Sequence, residues 1–591
     1  MKRDTLTTQP KMSDVKTGYI LGISAYYHDS AACLLYNGTI VAAIAEERLT
    51  RIKHDESLPI QAIELCLNQA GITIDEVDAV VFYEKTFIKF ERILETFVKA
   101  APFGFIPFQK ALKSWLKEKL WIPSNIRKEL NYKGKLYFTD HHESHAASAC
   151  FTAPFTSGAY LVMDAVGEKA TTSFGIFENG KLEVLGLQEF PNSIGMLYSA
   201  FTYYCGFKVN SGEYKLMGLA PYGEPKYVEL IENYLVKIQD DGSIELNMRY
   251  FHFHRGLKMI NAKFEALFGQ KARKPESEIT TFYKDVAASI QKVTEHIILK
   301  MVKHTHTVTG AKNLCLSGGV ALNCVANQKI DELELFENIW IQPAAGDAGG
   351  ALGAALAIHA HLGGQTPITW HPPYLGSSFR EEQIIEATKR YDLKIIPLGQ
   401  NELVSKTAEL LANQKSLGWF QGCDEWGPRA LGNRSILASP VHPEMQKRLN
   451  LQIKKREDFR PFAPVVLEEK AKDWFEINHP IPYMQFTVQC KQPEKIQACV
   501  HVDGSSRVQT INQQQNDKLH ALLQEMDRLT GVPVLINTSF NQRGEPIVHT
   551  PEDAIRCFLS TEMDALVLGN VLIIKSEQDQ LKQLEVNYAL D

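Results

Sequence analysis

The sequence predicts a two-part α/β protein whose first part is internally duplicated. Three observations carry this expectation. A strand, polar loop, strand, turn, strand pattern occurs twice; two later Gly-rich loops lead from strands into helix-like stretches; and a Pro/Gly-rich boundary is followed by a renewed helix-then-strand pattern. At 591 residues the chain is also too long for one ordinary core.

The first copy is GYILGISAYYHDSAACLLYNGTIVAAIAEER, with an Asn37-Gly38 hairpin turn between its second and third apolar runs. The second is GAYLVMDAVGEKATTSFGIFENGKLEVLGL, where a strand ends at Asp164 and the turn is Asn179-Gly180. Next, NLCLSGGVALNCVANQKI runs through Gly318 and Gly319 towards a helix, and NIWIQPAAGDAGGALGAALAIHA runs through Asp347 into an Ala/Gly-rich helix. Glycines let a backbone approach a ligand closely, and helix N-termini favour anions, so four polar loops on one duplicated scaffold suggest a nucleotide cleft. The boundary falls at GGQTPITWHPPYLGSSF, residues 363 to 379. The expected division is 18–365 for the duplicated part and 374–575 for a second α/β part. KSEQDQLKQLEVNYALD reads as a peripheral tail.

Composition narrows the function classes. With 45% hydrophobic and 22% charged residues the chain reads as soluble and globular, and a net charge of -6 argues against non-specific adhesion to nucleic acid or acidic membranes. The N-terminal stretch MKRDTLTTQPKMSDVKTGY has no apolar core, so no signal peptide is expected, and no apolar run approaches the roughly 20 residues of a membrane span. Ten cysteines without a CxxC pair fit a reducing compartment, the cytoplasm.

Chemistry concentrates in a few stretches. In DHHESHAASA, Asp140 suits a helix N-cap, and His141 and His145 then stand one turn apart on one face while His142 points elsewhere. Solvated histidines at a helix start would look the same. If Asp164 and Asp347 arrive from their strand ends, two imidazoles and two carboxylates make a set suited to iron, manganese or zinc. SAYYHDSAA puts His28 in the first polar loop, where it could take a proton from a hydroxyl. EERLTRIKHD, with Arg48, Arg51, Lys53 and His54, reads as a solvated face. Further on, Arg429, Arg434, Lys454, Lys455, Arg456 and Arg460 lie among glycines, prolines and aromatics. Arg507 and the run Asn537, Thr538, Ser539, Asn541 and Arg543 follow. Guanidinium forks grip phosphate oxygens bidentately, so this cluster suits a small phosphate compound.

Ten motifs in order from residue 20 to about residue 570, among them GISAYYHDSAACLLYNG, DHHESHAASA, SGEYKLMGLAPYG, LSGGVALNC, GDAGGALGAAL, GPRALGNRSILASP, FRPFAPVV and INTSFNQRGEPIV, give a resemblance covering nearly the whole chain. The sequence resembles the NodU/CmcH-type O-carbamoyltransferase family, which includes the TobZ-like antibiotic carbamoyltransferases. The resemblance implies a duplicated actin-like ATPase (ASKHA) N-terminal domain followed by a YrdC-like α/β domain. The latter would make carbamoyl adenylate from carbamoyl phosphate and ATP, and the former would pass the carbamoyl group to a hydroxyl of a small natural-product acceptor. It implies His28 as general base, Tyr26 and Lys53 near acceptor or adenylate, and His141, His145, Asp164 and Asp347 as ligands of a divalent metal, Fe2+ in relatives. It further implies Arg429, Lys454, Arg460, Arg507 and Asn537 as the carbamoyl phosphate pocket and Gly318, Gly319 and Asn323 at the nucleotide, with Mg2+ admitted beside ATP and a homodimer admitted as the assembly. Loops such as FYEKTF would wall the acceptor. Two positions depart from the family pattern, Cys423 for an arginine and Ala165 for a glycine. The other readings are a threonylcarbamoyl-type tRNA-modifying transferase, or a catalytically silent scaffold of the same fold.

Overall fold

The computed structural model describes residues 16–100, 105–117 and 119–578. The N-terminal stretch read for a signal peptide lies mostly outside the described residues, as does most of the expected tail.

The first copy of the repeated pattern forms β1 (Tyr19–Ser24), β2 (Ala31–Tyr36) and β3 (Thr39–Ala45), an antiparallel meander. Parallel strands β4 (Ala79–Phe82) and β5 (Lys135–Phe138) extend it, giving the order β3-β2-β1-β4-β5. Helices α1 (Thr86–Ala100) and α2 (Phe105–Lys117) are inserted between β4 and β5, and α3 (His141–Cys150) follows. The second copy forms β6 (Ser157–Met163), β7 (Ala170–Glu178) and β8 (Lys181–Glu189). After the long helix α4 (Thr281–Thr309), it is extended by parallel strands β9 (Asn313–Ser317) and β10 (Asn338–Trp340). The second sheet therefore runs β8-β7-β6-β9-β10, strand for strand the topology of the first, and the duplication expected for an actin-like first part is present.

Both hairpin turns form for one local reason. Asn37 and Gly38 have φ of 49° and 83°, Asn179 and Gly180 have 50° and 76°, and a two-residue turn with both central φ positive matches the twist of the strands it joins.

Helix α5 (Ala348–His361) packs on β1 and β2 and against α3, which in turn packs on β6 and β9. The two helices thus join the halves. The sequence of α5 explains how close they come: a Cβ on Gly353 would sit 1.7 Å from the Ser144 carbonyl oxygen of α3. Only glycine permits that approach.

The last part holds an eight-stranded mixed sheet. In chain order its strands are β11 (Ile396–Pro397), β12 (Leu417–Phe420), β13 (Arg434–Ala438), β14 (Ala463–Leu467), β15 (Gln509–Ile511), β16 (Val534–Ser539), β17 (Ala565–Leu568) and β18 (Val571–Ile574). They assemble in the order β11-β18-β17-β12-β13-β16-β14-β15. Strands β14, β17 and β18 read as Val/Leu/Ile-rich runs that are almost wholly buried.

EERLTRIKHD is not a solvated face. Its helical turn Glu47–Thr50 is wedged between the two parts: Arg48 is buried and donates to the Glu425 and Gly427 carbonyls, while Arg51 donates to those of Ile547 (2.6 Å) and Pro546 (2.9 Å). A run of charges looks solvated in sequence, but here buried main-chain carbonyls need donors and long basic side chains supply them.

A candidate metal centre and a cation cluster

Helix α3 starts as its sequence suggests. Asp140 and Glu143 form a capping box, and His141 and His145 project together from the first turns. The start is further pinned by Glu168, whose carboxylate accepts the backbone N–H of His141 at 2.9 Å and that of Lys85 at 2.7 Å. His142 turns away, with Nδ1 against the Ser173 hydroxyl. Asp164 follows β6 directly. Asp347 does not terminate its strand: β10 ends at Trp340, and Asp347 stands seven residues later as the N-cap of α5.

All four side chains are buried and their ligand atoms lie within 4.8 Å of one another. His141 Nε2 is 3.1 Å from His145 Nε2, 3.3 Å from Asp164 Oδ2 and 3.6 Å from Asp347 Oδ1, and His145 Nε2 is 3.4 Å from Asp347 Oδ1. Ligands about 2.1 Å from one ion stand roughly 3.0 to 3.4 Å apart, so these separations fit a shared first-row divalent cation. Asp347 Oδ2 is buried without a hydrogen bond, and Asp164 Oδ1 is held by the Gly319 N–H at 3.1 Å. Burial alone would push the Asp164 carboxyl up, but His141 and His145 hold it well below the usual carboxylate range. Two imidazole edges and two carboxylates aimed at one dry point fit a divalent metal.

Glu84 stands behind this set. Its carboxylate, nearly inaccessible, lies 3.6 Å from His141 Nδ1 and 2.6 Å from Lys89 Nζ. An acid on the far nitrogen orients a ligating imidazole and fixes its tautomer. FYEKTF is therefore not simply an acceptor wall, because its acid is committed inward. Neither Glu84 nor Glu168 was singled out from the sequence, although Glu84 lies just past the C-terminal end of a parallel strand, where functional groups gather in α/β folds.

His28 faces the centre. Its Nε2 is 3.7 Å from Asp347 Oδ2 and its Nδ1 is 2.9 Å from Asp29, which also contacts His54 Nδ1 at 2.7 Å. Burial pulls the His28 pKa down, yet Asp347 and Asp29 outweigh it and raise it to about 9. A cation bound to Asp347 would weaken that upward pull. The loop is strained into shape, with Tyr26 and Asp29 both at positive φ (70° and 54°) and the Tyr26 carbonyl held by Lys119 Nζ at 2.6 Å. Ala165 has no positive φ, so alanine costs nothing there.

The cations of the last part fall into two groups. Arg434 leaves the anion pocket: it is fully buried, pairs with Asp424 at 2.9 Å, lies over the Phe420 ring and donates to the Ser377 and Gly422 carbonyls. His549 closes the same knot at 2.7 Å from Asp424. Cys423, beside it, has its thiol pushed up by burial and next to Ser378 and Arg434.

Arg429, Arg456, Arg460 and Arg507 form the other group. Burial lowers the pKa of Arg429, Arg456 and Arg507, and charge repulsion links Arg429 to Arg507 and Arg456 to Arg460. Glu457, 3.7 Å from Arg460 and 3.4 Å from Lys215, is the nearby counter-charge among the described residues. Arg429 donates to the Leu322 carbonyl at 3.0 Å, so the cluster abuts the loop that begins at Gly318 and Gly319. That loop is glycine for a reason: Gly318 has φ 87° against the Met163 backbone. Asn537 gives Nδ2 to Gln509 at 2.7 Å and keeps a buried, unpartnered Oδ1. Lys454 grips Ser539 and Asn541 after β16 (Nζ to the Ser539 carbonyl, 2.7 Å), and Lys53 lies near enough to repel it. Asn323 caps the helix Cys324–Asp331 and pairs with Gln291.

Residue Glu425 was also missed. Its Oε1 accepts the N–H groups of Leu431, Asn433 and Arg434 at 3.0, 2.9 and 2.8 Å, shaping the loop that presents Arg429.

The chain is similar to an uncharacterized Synechocystis protein, sll1178 (49% identity, 96% of this chain and 98% of that one), and to nodulation protein NolNO of Sinorhizobium fredii (35%, 93% and 80%). Nodulation protein U of the same species is 30% identical over 88% of this chain and 92% of its own. Among solved structures, component A of the Acidaminococcus fermentans (R)-2-hydroxyglutaryl-CoA dehydratase overlaps 58% of this chain at 16% identity with a TM-score of 0.31. HypF from T. kodakarensis overlaps 60% at 12% with 0.32. Residues 19–356 match the sequence model of the carbamoyltransferase N-terminus and residues 408–575 that of the carbamoyltransferase C-terminus, and the chain belongs to the carbamoyltransferase family.

Proposed function

We propose that this enzyme makes carbamoyl adenylate from carbamoyl phosphate and ATP at the arginine cluster and transfers the carbamoyl group to a hydroxyl of a small natural-product acceptor beside His28. The observation that carries this reading is the pairing of two chemically distinct centres in one chain. Four clustered, half-buried guanidinium groups, with Glu457 as the nearby counter-charge among the described residues, suit an anion. The imidazole–carboxylate set, with His28 3.7 Å from one of its members, suits acyl transfer to oxygen.

In the first half-reaction, Arg429, Arg456, Arg460 and Arg507 hold carbamoyl phosphate while water cleaves it to carbamate and phosphate; a carbamate oxygen then bonds to the α-phosphorus of ATP as the bond to pyrophosphate breaks and pyrophosphate leaves. In the second, Asp29 takes the Nδ1–H of His28, leaving the Nε2 lone pair free for the acceptor proton. The hydroxyl oxygen bonds to the carbamoyl carbon, the carbon–oxygen bond to AMP breaks, and AMP leaves with that electron pair. A divalent metal on His141, His145, Asp164 and Asp347 would supply Lewis-acid polarisation of the carbamoyl and phosphate oxygens. Glu84 and Glu168 hold the histidine helix in position.

The test separates the halves. His28→Asn should keep pyrophosphate release from carbamoyl phosphate and ATP while losing carbamoylated acceptor across a panel of hydroxylated metabolites. Arg460→Ala should lose pyrophosphate release. Equal loss of pyrophosphate in both variants would refute the division.

A further inference from the structure

Helices α1 and α2 form an antiparallel hairpin sealed by Phe97 stacked on Phe108 (3.9 Å between rings) and Phe90 against Trp115 (5.5 Å). Beside that seam, Ile88, Ile93 and Leu112 are half-buried, and a further set of apolar side chains lies outside. Phe87, Leu94 and Val98 of α1 and Phe105 and Leu116 of α2 are exposed, Val98 by 70%, and Trp121 just beyond is exposed by 57%.

They share one side. At about 100° per residue, Phe87, Leu94 and Val98 cluster roughly 70° around α1 from the Phe90–Phe97 seam, and Phe105 and Leu116 lie roughly 80° around α2 from its own seam in the same sense. Because the helices are antiparallel, equal rotations of the same sense bring both stripes to one face. The acids of α1 are taken: Glu91 and Glu95 pair with Lys169 at 3.1 and 2.9 Å. Exposed Lys110, Lys113 and Lys117 flank the stripe on α2 and form no ion pair among the described residues.

We propose that this face, whose local lysines are opposite in sign to the chain's net charge of -6, is a docking surface for an anionic lipid bilayer. Exposed aromatic and aliphatic side chains rimmed by lysine are what an interfacial helix presents to the headgroup region. A second copy docked face to face about a two-fold axis across the helices would set the α2 lysines of both copies against each other. The other side of the insertion touches the catalytic loops: Lys119 holds the Tyr26 carbonyl, Arg92 donates to the Gly167 carbonyl at 2.8 Å, and Lys89 pairs with Glu84. Docking therefore places the insertion between the lipid surface and the catalytic loops.

The experiment is sedimentation of the full chain with phosphatidylcholine vesicles with and without phosphatidylglycerol. The protein should pellet with the anionic vesicles and be released by high salt. Val98→Ser with Leu116→Ser should weaken binding at least tenfold, and Lys110→Gln with Lys113→Gln and Lys117→Gln roughly a hundredfold, both with unchanged melting temperature. No pelleting with anionic vesicles would overturn the proposal, as would equal pelleting with phosphatidylcholine alone. So would lipid-free self-association that the Val98/Leu116 variant abolishes, since the face would then be an interface between copies.

Discussion

Gly353→Ala tests how the ligand centre is held. The new methyl would stand 1.7 Å from the Ser144 carbonyl oxygen, whereas carbon and oxygen normally approach to about 3.3 Å, so α5 and α3 must part locally by about 1.6 Å. These two helices carry three of the four candidate ligands: His141 and His145 start α3, and Asp347 caps α5. Metal–ligand distances tolerate only about 0.2 Å, far less than the enforced shift. Overpacking of this severity costs about 3 kcal/mol, and the better helix propensity of alanine returns about 1, leaving a net loss near 2 kcal/mol. The assay is metal content by elemental analysis after dialysis against a graded chelator, beside a denaturant titration. Metal affinity should fall at least tenfold while the protein still folds. Full wild-type metal affinity, or a rise in the unfolding midpoint, would show that the α3–α5 contact does not set the ligand spacing.

Glu84→Gln should lower metal affinity about 10- to 100-fold without unfolding the chain, read by the same chelator titration, because it removes the charge behind the His141 imidazole. Asp424→Asn should destabilise by about 3 to 5 kcal/mol in urea, since it leaves the fully buried Arg434 guanidinium uncompensated. Asp564 accepts from Ser416 N–H and Arg448. Burial opposes its charge, yet these partners hold its pKa below the ordinary carboxylate value. Its stabilisation is therefore present above the ordinary carboxylate range and lost as pH falls through the lowered folded pKa. Asp564→Asn should cost about 1 to 3 kcal/mol at neutral pH, with the gap to wild type closing in strong acid; a gap that persists there would refute the assignment.

What the sequence determined by itself is the part whose causes are local. Both Asn-Gly turns, the meanders they close, the helix after Asp140 and the paired histidines on its face follow from φ preferences, periodicity and capping, all set within a few residues. The match of the two sheet orders could be anticipated from the repeated pattern for the same reason. Which charges meet was decided by tertiary structure alone. Arg429 and Arg434 sit in one stretch, GPRALGNR, yet one joins the cation cluster and the other is locked to Asp424, because their strands and loops deliver them to different faces of one sheet neighbourhood. Glu84, Glu168 and Glu425 look like ordinary acids in sequence; only packing shows them accepting from the histidine helix, its neighbours and the arginine loop. The wedge at Arg48 and Arg51 is likewise invisible, since a basic run reads alike whether water or a buried carbonyl more than 370 residues away receives its hydrogen bonds. Electrostatic partners are chosen by distance in space, and chain separation carries almost none of that information.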